Sequence, residues 1–321
     1  MRIFLTMRCG RLSGPDFPVG HKSTRTSHHN HCSPHNCHAF VAGRPISPDN
    51  MIKVDGKTIQ KDIKRKLCAR CAQREETMRL DLFYIGSNDT IETYIALKKR
   101  FGENIGVQVV GHTFSADTKE EKIRDSLQTV ANSKAVDGMV LQLPVPETLA
   151  DDLRNEIPAS EDVDVLSDDR RSAFSAGESA ILPPVVAAIA EICRRHEIML
   201  ENKSVAVVGR GRLVGGPAVT WLQNQGIEPA VYEKGDDLTG LVSADVIISG
   251  AGDPHVITPD INNEQAILFD AGTSQSDGGL CGDVHPESYQ KARLITPVPG
   301  GIGPITVAKL FENLVVLASK S

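Results

Sequence analysis

From Met51 onward, short apolar runs of strand length alternate with segments of helical length, and this alternation constrains the fold more than any other feature. Strands separated by helices are joined by right-handed crossovers and run parallel. Residues 59–79 read as an amphipathic helix rich in Lys and Arg. Residues 80–85 read as a strand ending in Gly86-Ser87-Asn88-Asp89, where another helix starts. Helices are expected at 91–101 and 118–133 and strands at 106–112 and 137–141, the last running into Gln142-Leu143-Pro144-Val145-Pro146. A second unit follows Ile181-Leu182-Pro183-Pro184, with helices at 185–196 and 219–224 and strands at 204–208, 229–232, 244–249 and 266–270. No internal repeat is visible. Two α/β domains are expected.

Composition narrows the partners. The 321 residues suit about two domains. Hydrophobic residues at 40% and charged residues at 24% are close to a soluble globular average. With a net charge of -6 and no basic stripe, nucleic acid is not an expected partner. No apolar run reaches the length of a membrane span. Residues 1–50 differ from the rest: they hold six of the ten histidines and Cys9, Cys32 and Cys37, with no apolar period. They read as a disordered N-terminal extension without the features of a secretory signal. His28, His29, His31, Cys32, His35, Cys37 and His38 are good zinc donors, but their spacing fits no closed finger, so no metal site is expected. Cys68-Ala69-Arg70-Cys71 has redox-motif spacing but lies in a charged helical stretch, so two incidental thiols in a reducing cytoplasm are expected.

Gly209-x-Gly211-x-x-x-Gly215 lies between an apolar strand and a helix. Glycines there let backbone approach a pyrophosphate, and a helix N-terminus favours an anion. The spacing is not G-x-G-x-x-G, and such turns also serve packing alone, so the motif by itself leaves both readings open. The next strand ends at Glu233-Lys234. An acid there suits a ribose 2′-OH and a base suits a 2′-phosphate; with Arg210 and Arg212 nearby, the choice between NAD and NADP stays open. Elsewhere, Tyr94 and Lys98 are four residues apart and share one helix face. On its own that pair reads as part of a solvated face with Lys99 and Arg100.

Four segments, in order, resemble the bifunctional methylenetetrahydrofolate dehydrogenase/cyclohydrolase family. Pro297-Val298-Pro299-Gly300-Gly301-Ile302-Gly303-Pro304-Ile305-Thr306 is close to the family's C-terminal signature, and 209–217 to its cofactor turn. Residues 137–146 are similar to its substrate-side strand and loop, and Glu161-Asp162-Val163-Asp164 to its acidic folate segment. Tyr94-Ile95-Ala96-Leu97-Lys98 reproduces its Tyr-x-x-x-Lys pair. The resemblance implies a folate-binding catalytic domain (51–180 plus 300–321) and a Rossmann-like cofactor domain (181–299), with a cleft between them, in a homodimer. It implies oxidation of 5,10-methylenetetrahydrofolate with NADP, or NAD, then hydrolysis of the methenyl product to 10-formyltetrahydrofolate. Lys98 would manage protons, with Gln142 orienting it and Tyr94 against the pterin or aminobenzoate. Asp164 would hydrogen-bond the pterin, and Pro299, Gly300 and Gly301 would lie near both ligands. Gly209, Arg210, Gly211, Arg212, Val214, Gly215, Glu233 and Lys234 would hold the cofactor.

The chain departs from the family pattern at several positions. Val165 stands where the family has Gly, Leu182-Pro183-Pro184-Val185-Val186 replaces Cys-Thr-Pro-x-Gly, and Ile91 replaces a serine. Tyr232-Glu233-Lys234 replaces Cys-His-Ser, and Gly211 a serine of the turn. These losses point to altered cofactor preference or weak activity without a change of fold. The alternatives are a single-activity dehydrogenase, one acting on another small substrate, and a non-catalytic folate- or nucleotide-binding relative.

Overall fold

The computed structural model describes residues 51–86, 89–276 and 279–319. The extension 1–50 with its His and Cys tract, and Ser87 and Asn88, lie outside the described residues. Along the chain run β1 (Ile52–Lys53), α1 (Gly56–Cys71), β2 (Arg79–Ile85), α2 (Asp89–Ile105), β3 (Gln108–Phe114), α3 (Glu120–Ala131), β4 (Gly138–Leu141) and α4 (Asp168–Ser175). Then come α5 (Pro184–Arg195), β5 (Val205–Val208), α6 (Gly215–Gln223), β6 (Ala230–Tyr232), β7 (Val246–Ser249), β8 (Ile267–Asp270), β9 (Ser274–Ser276), β10 (Gly279–Cys281), β11 (Leu294–Ile295) and α7 (Ile302–Ala318).

Helix α1 starts where Asp55 accepts the N–H groups of Lys57 (3.0 Å) and Thr58 (3.1 Å), an N-cap that satisfies two orphan donors. It buries Ile59, Ile63 and Leu67, one side chain per turn. Its end at Cys71 is earlier than the sequence pattern suggests. Strand pairing of β2 begins at Arg79, whose N–H goes to the Asp137 carboxylate at 2.8 Å, and this tertiary pairing overrides helical propensity in the preceding residues. Cys68 and Cys71 sit in the last turns of α1 as free thiols.

Two parallel sheets result. One is three-stranded, in the order β3-β2-β4; the other is six-stranded, in the order β1-β11-β8-β7-β5-β6. Strand β1 precedes the first sheet in sequence, yet it closes the edge of the second through β11. A hairpin, β9-β10, stands apart. Among the described residues, no helix is long and apolar enough to cross a membrane.

Helix α7 joins the two sheets. Its Ile305, Leu310, Phe311 and Leu314 belong to one buried cluster with Ile63 and Leu67 of α1, Leu80 and Val140 of the first sheet, and Val205 and Phe269 of the second. Phe311 packs on Phe101 of α2 with ring centroids 5.1 Å apart. Buried Asn313 donates from Nδ2 to the carbonyls of Val163 (2.9 Å) and Leu182 (2.8 Å). The acidic segment and the start of the second half therefore hang from one side chain. Polar contacts reinforce the junction: Glu191 of α5 takes Arg194, Arg195 and Lys309, and Arg195 reaches Asp62 of α1 at 2.9 Å.

Candidate active site

Lys98 lies in the third turn of α2 and is only 7% exposed. Its Nζ donates to Gln142 Oε1 at 2.8 Å. Gln142 follows β4 directly, and its backbone N–H extends the ladder to Phe83 O at 2.8 Å. Its side-chain amide is oriented as well, because Nε2 donates to Leu143 O at 2.8 Å and leaves the oxygen for the lysine. Burial holds the Lys98 amine below the usual lysine range, opposed by the charge of Asp164. Burial likewise raises the Asp164 carboxyl, opposed by Lys98, while Asp162 adds to the rise. Tyr94, one turn before Lys98, is half-buried, and burial raises its phenol. Lys98, Gln142 and Asp164 are thus drawn from a helix, a strand end and a loop into one electrostatic unit.

The two acids of the Asp162-Val163-Asp164 segment have separate tasks. Asp162 is buried and accepts from the N–H groups of Asp164 (3.2 Å), Leu166 (2.9 Å) and Ser167 (2.8 Å) and from Ser167 Oγ (2.7 Å). It spends its oxygens on the loop, which leaves Asp164 facing Lys98. Val165 keeps the left-handed backbone of a glycine position, with φ +60°. A β-branched side chain there is strained by about 1–2 kcal/mol, and the Asp162 bonds on either side hold it.

At the start of α7, Gly300 has φ +105°, and Gly301 N–H closes back on Pro297 O at 2.7 Å. Gly300 O in turn accepts from Gly56 N–H at 2.9 Å. A Cβ at Gly56 would fall inside the carbonyl oxygen of Gly301. Sequence reasoning missed Gly56, although a glycine opening a helix just behind a capping Asp was a readable signal. Pro299 precedes this pair of glycines in the same tight turn.

A second cluster forms around the glycine turn. Strand β5 sits between β6 and β7, so the chain switches direction across the sheet at its carboxyl end, where open α/β sheets take ligands. Gly209 has φ +82°, and a Cβ there would lie 2.7 Å from Gly250 O and Ala251 Cα. Gly215, the first residue of α6, allows no Cβ against Gly209 O, and Gly250 allows none against Val214. At Gly211 the nearest atom to such a Cβ would be 3.9 Å away, so the backbone there is open to an incoming group. This cradle at the first turn of a helix fits a dinucleotide pyrophosphate. Gly250 was missed in sequence, as was Asp283, which accepts from Ser249 Oγ (2.7 Å), Ala251 N–H (2.8 Å) and Asp253 N–H (3.2 Å) and so fixes the loop beneath the turn. Arg210 pairs with Glu233 at 3.7 Å, whereas Arg212 is drawn to Asp151 at 2.6 Å. Lys234 is exposed just beyond β6.

Comparison with known proteins follows the same two-part geometry. Residues 54–164 match the catalytic domain of the tetrahydrofolate dehydrogenase/cyclohydrolase family, and residues 183–321 match its NAD(P)-binding domain. The chain belongs to this family. It is therefore a folate dehydrogenase/cyclohydrolase, an α/β enzyme of one-carbon metabolism built from a catalytic and an NAD(P)-binding part. Among relatives, the bifunctional protein FolD of Bdellovibrio bacteriovorus is 31% identical over 83% of this chain and 96% of its own length. The crystal structure of FolD from Campylobacter jejuni superposes with a TM-score of 0.80 at 30% identity, over 84% of this chain and 99% of that one. The Trypanosoma brucei dehydrogenase/cyclohydrolase, solved with NADP and an inhibitor, gives a TM-score of 0.81 at 25% identity, over 84% of this chain and 98% of that one.

Proposed function

We propose that this family member oxidises 5,10-methylenetetrahydrofolate to the methenyl compound with NADP or NAD, and hydrolyses that product to 10-formyltetrahydrofolate. One observation carries the reading: a dry lysine amine, lowered in pKa, bonded to an oriented glutamine and facing a carboxyl. In this reading, residues 51–180 with 300–321 bind folate, and 181–299 bind the dinucleotide. When bound, the dinucleotide would supply the hydride acceptor for the carbon that bridges two folate nitrogens.

The side chains then act in sequence. Lys98, whose charged form is disfavoured by burial, takes a proton from the water that attacks the methenyl carbon. The same ammonium returns a proton to the departing folate nitrogen. Gln142 holds Nζ in place and, with no proton to exchange, leaves proton transfer to the lysine. Asp164, kept towards its neutral form by burial, can donate to as well as accept from a pterin ring. Tyr94 covers the ring system, and the Pro299-Gly300-Gly301 turn offers backbone to both ligands. Gly209, Gly211, Val214 and Gly215 would cradle the pyrophosphate, with Arg210, Glu233 and Lys234 towards the adenosine end and Arg212 held by Asp151. The reading also has the enzyme working as a homodimer in the cytoplasm, and the free thiols suit a reducing compartment.

The test is turnover by purified protein with methylenetetrahydrofolate and either dinucleotide, followed by reduced-nicotinamide absorbance and then methenyl absorbance. Both steps should run. No reduction of either dinucleotide would overturn the proposal, and reduction with methenyl accumulating would restrict it to a dehydrogenase.

A further inference from the structure

Building on the dinucleotide reading of the glycine turn, we infer that Glu233 makes this enzyme select NAD over NADP. The carboxylate stands at the carboxyl end of the second strand of the nucleotide-binding half, one residue past β6. That strand end is joined to the glycine turn by the bond from Gly209 N–H to Tyr232 O at 2.8 Å. An acid about twenty residues beyond such a turn is placed to accept the 2′-hydroxyl of the adenosine ribose. A 2′-phosphate at the same place would meet a like charge and would find no donor in Glu233.

The cations nearby do not reverse this sign. Arg210 is the one turn residue able to neutralise a 2′-phosphate at β6, and it pairs with Glu233 itself at 3.7 Å. Both partners are more than half exposed, so the pair adds little to stability, but it occupies the guanidinium. Arg212 is directed away, bonded to Asp151 at 2.6 Å. Asp236 brings a second carboxylate to the strand end, its Oδ2 accepting Glu233 N–H at 2.7 Å. Asp237 follows, committed to Thr239 N–H at 3.0 Å. Lys234 is the remaining cation, set against three carboxylates. The tip of β6 thus favours a neutral diol over a phosphate.

The experiment is equilibrium binding of NAD and of NADP to the full chain by calorimetry, without folate and without turnover. Wild-type protein should bind NAD at least about tenfold more tightly than NADP, one power of ten being about 1.4 kcal/mol. Glu233→Ser should remove or invert that ratio by freeing Arg210 and removing the charge. Adding Arg210→Ala to Glu233→Ser should weaken NADP again. Tighter binding of NADP by the wild type, or an unchanged ratio in Glu233→Ser, would overturn the inference while leaving the dinucleotide site standing. If neither dinucleotide binds, the dinucleotide reading itself falls and the inference goes with it.

Discussion

Replacing Lys98 by Met removes the amine and keeps an unbranched side chain of similar volume. The structural cost should be small. One hydrogen bond, the 2.8 Å contact to Gln142, is lost, at a net cost of about 1 kcal/mol. Against this, a buried amine whose ionised form is disfavoured by its surroundings no longer has to be accommodated. The two effects oppose each other, so unfolding free energy should change by less than about 1.5 kcal/mol. Catalysis should change far more. Loss of a positioned acid–base group typically slows proton transfer ~10²–10⁴-fold, equivalent to ~3–5 kcal/mol on the barrier. The assay is hydrolysis of the methenyl compound, read as loss of its absorbance, with thermal unfolding as the control. Lys98→Arg separates charge from proton transfer, because a guanidinium stays protonated throughout the working range. It should be as slow as the Met variant. In the wild type the rate should fall as pH drops through the depressed lysine pKa, because the neutral amine disappears, and both variants should lose that limb. A Met variant that hydrolyses within about threefold of wild type would refute the assignment of Lys98 as the shuttle.

Three further outcomes follow from the packing. Gly56→Ala drives a Cβ into the Gly301 carbonyl, with backbone on both sides, so it should cost about 2–4 kcal/mol and weaken folate turnover; an unchanged melting temperature would contradict that. Glu191, although burial opposes its charge, is held at about 2 by Arg194, Arg195 and Lys309, so its contribution is present above the ordinary glutamate pKa and is lost as pH falls from about 4.5 towards 2. Glu191→Gln should therefore lower stability by about 1–3 kcal/mol at pH 7 and by much less near pH 3, measured by urea unfolding at both. Asp270 behaves in the opposite sense: burial lifts it to about 6, so its protonated form stabilises the fold below the ordinary aspartate pKa. As pH rises from about 4 to 6 that contribution, up to about 3 kcal/mol, is lost. Asp270→Asn should flatten this part of the stability curve relative to wild type, and a parallel curve would disprove the assignment.

Much of the fold was readable because several strands are buried on both faces and appear as uninterrupted apolar runs, as in 205–208 and 266–269. Elements whose existence depends on partners were not. Strand β1 has two exposed residues and is a strand only because β11 lies beside it. Helix α7 is apolar on nearly every side, since it is enclosed by α1, α2 and α5, and so lacks the amphipathic period that marks a surface helix. Helix α6 starts at Gly215, inside what the pattern reads as turn, because a glycine is the residue that lets the helix begin against Gly209.

Within the site, the spacing of Tyr94 and Lys98 placed both on one helix face, but nothing local reported that Lys98 is dry while Lys99 and Arg100 are not. That difference comes from Gln142 past the end of β4 and the Asp164 loop, which meet the Lys98 amine. Val165 was legible as a departure from a glycine position. Its retained left-handed backbone was not, because the Asp162 bonds that enforce it run to residues on both sides of it.

The most direct measurement is a crystal structure of the enzyme with a folate analogue and a dinucleotide bound together. The account places Lys98 Nζ at about 2.6–3.2 Å from the folate nitrogen it protonates or from a water beside the one-carbon bridge, with Gln142 still bonded and the Pro299-Gly301 turn against the ligands. A pterin bound elsewhere, with that amine turned out into solvent, would contradict the account.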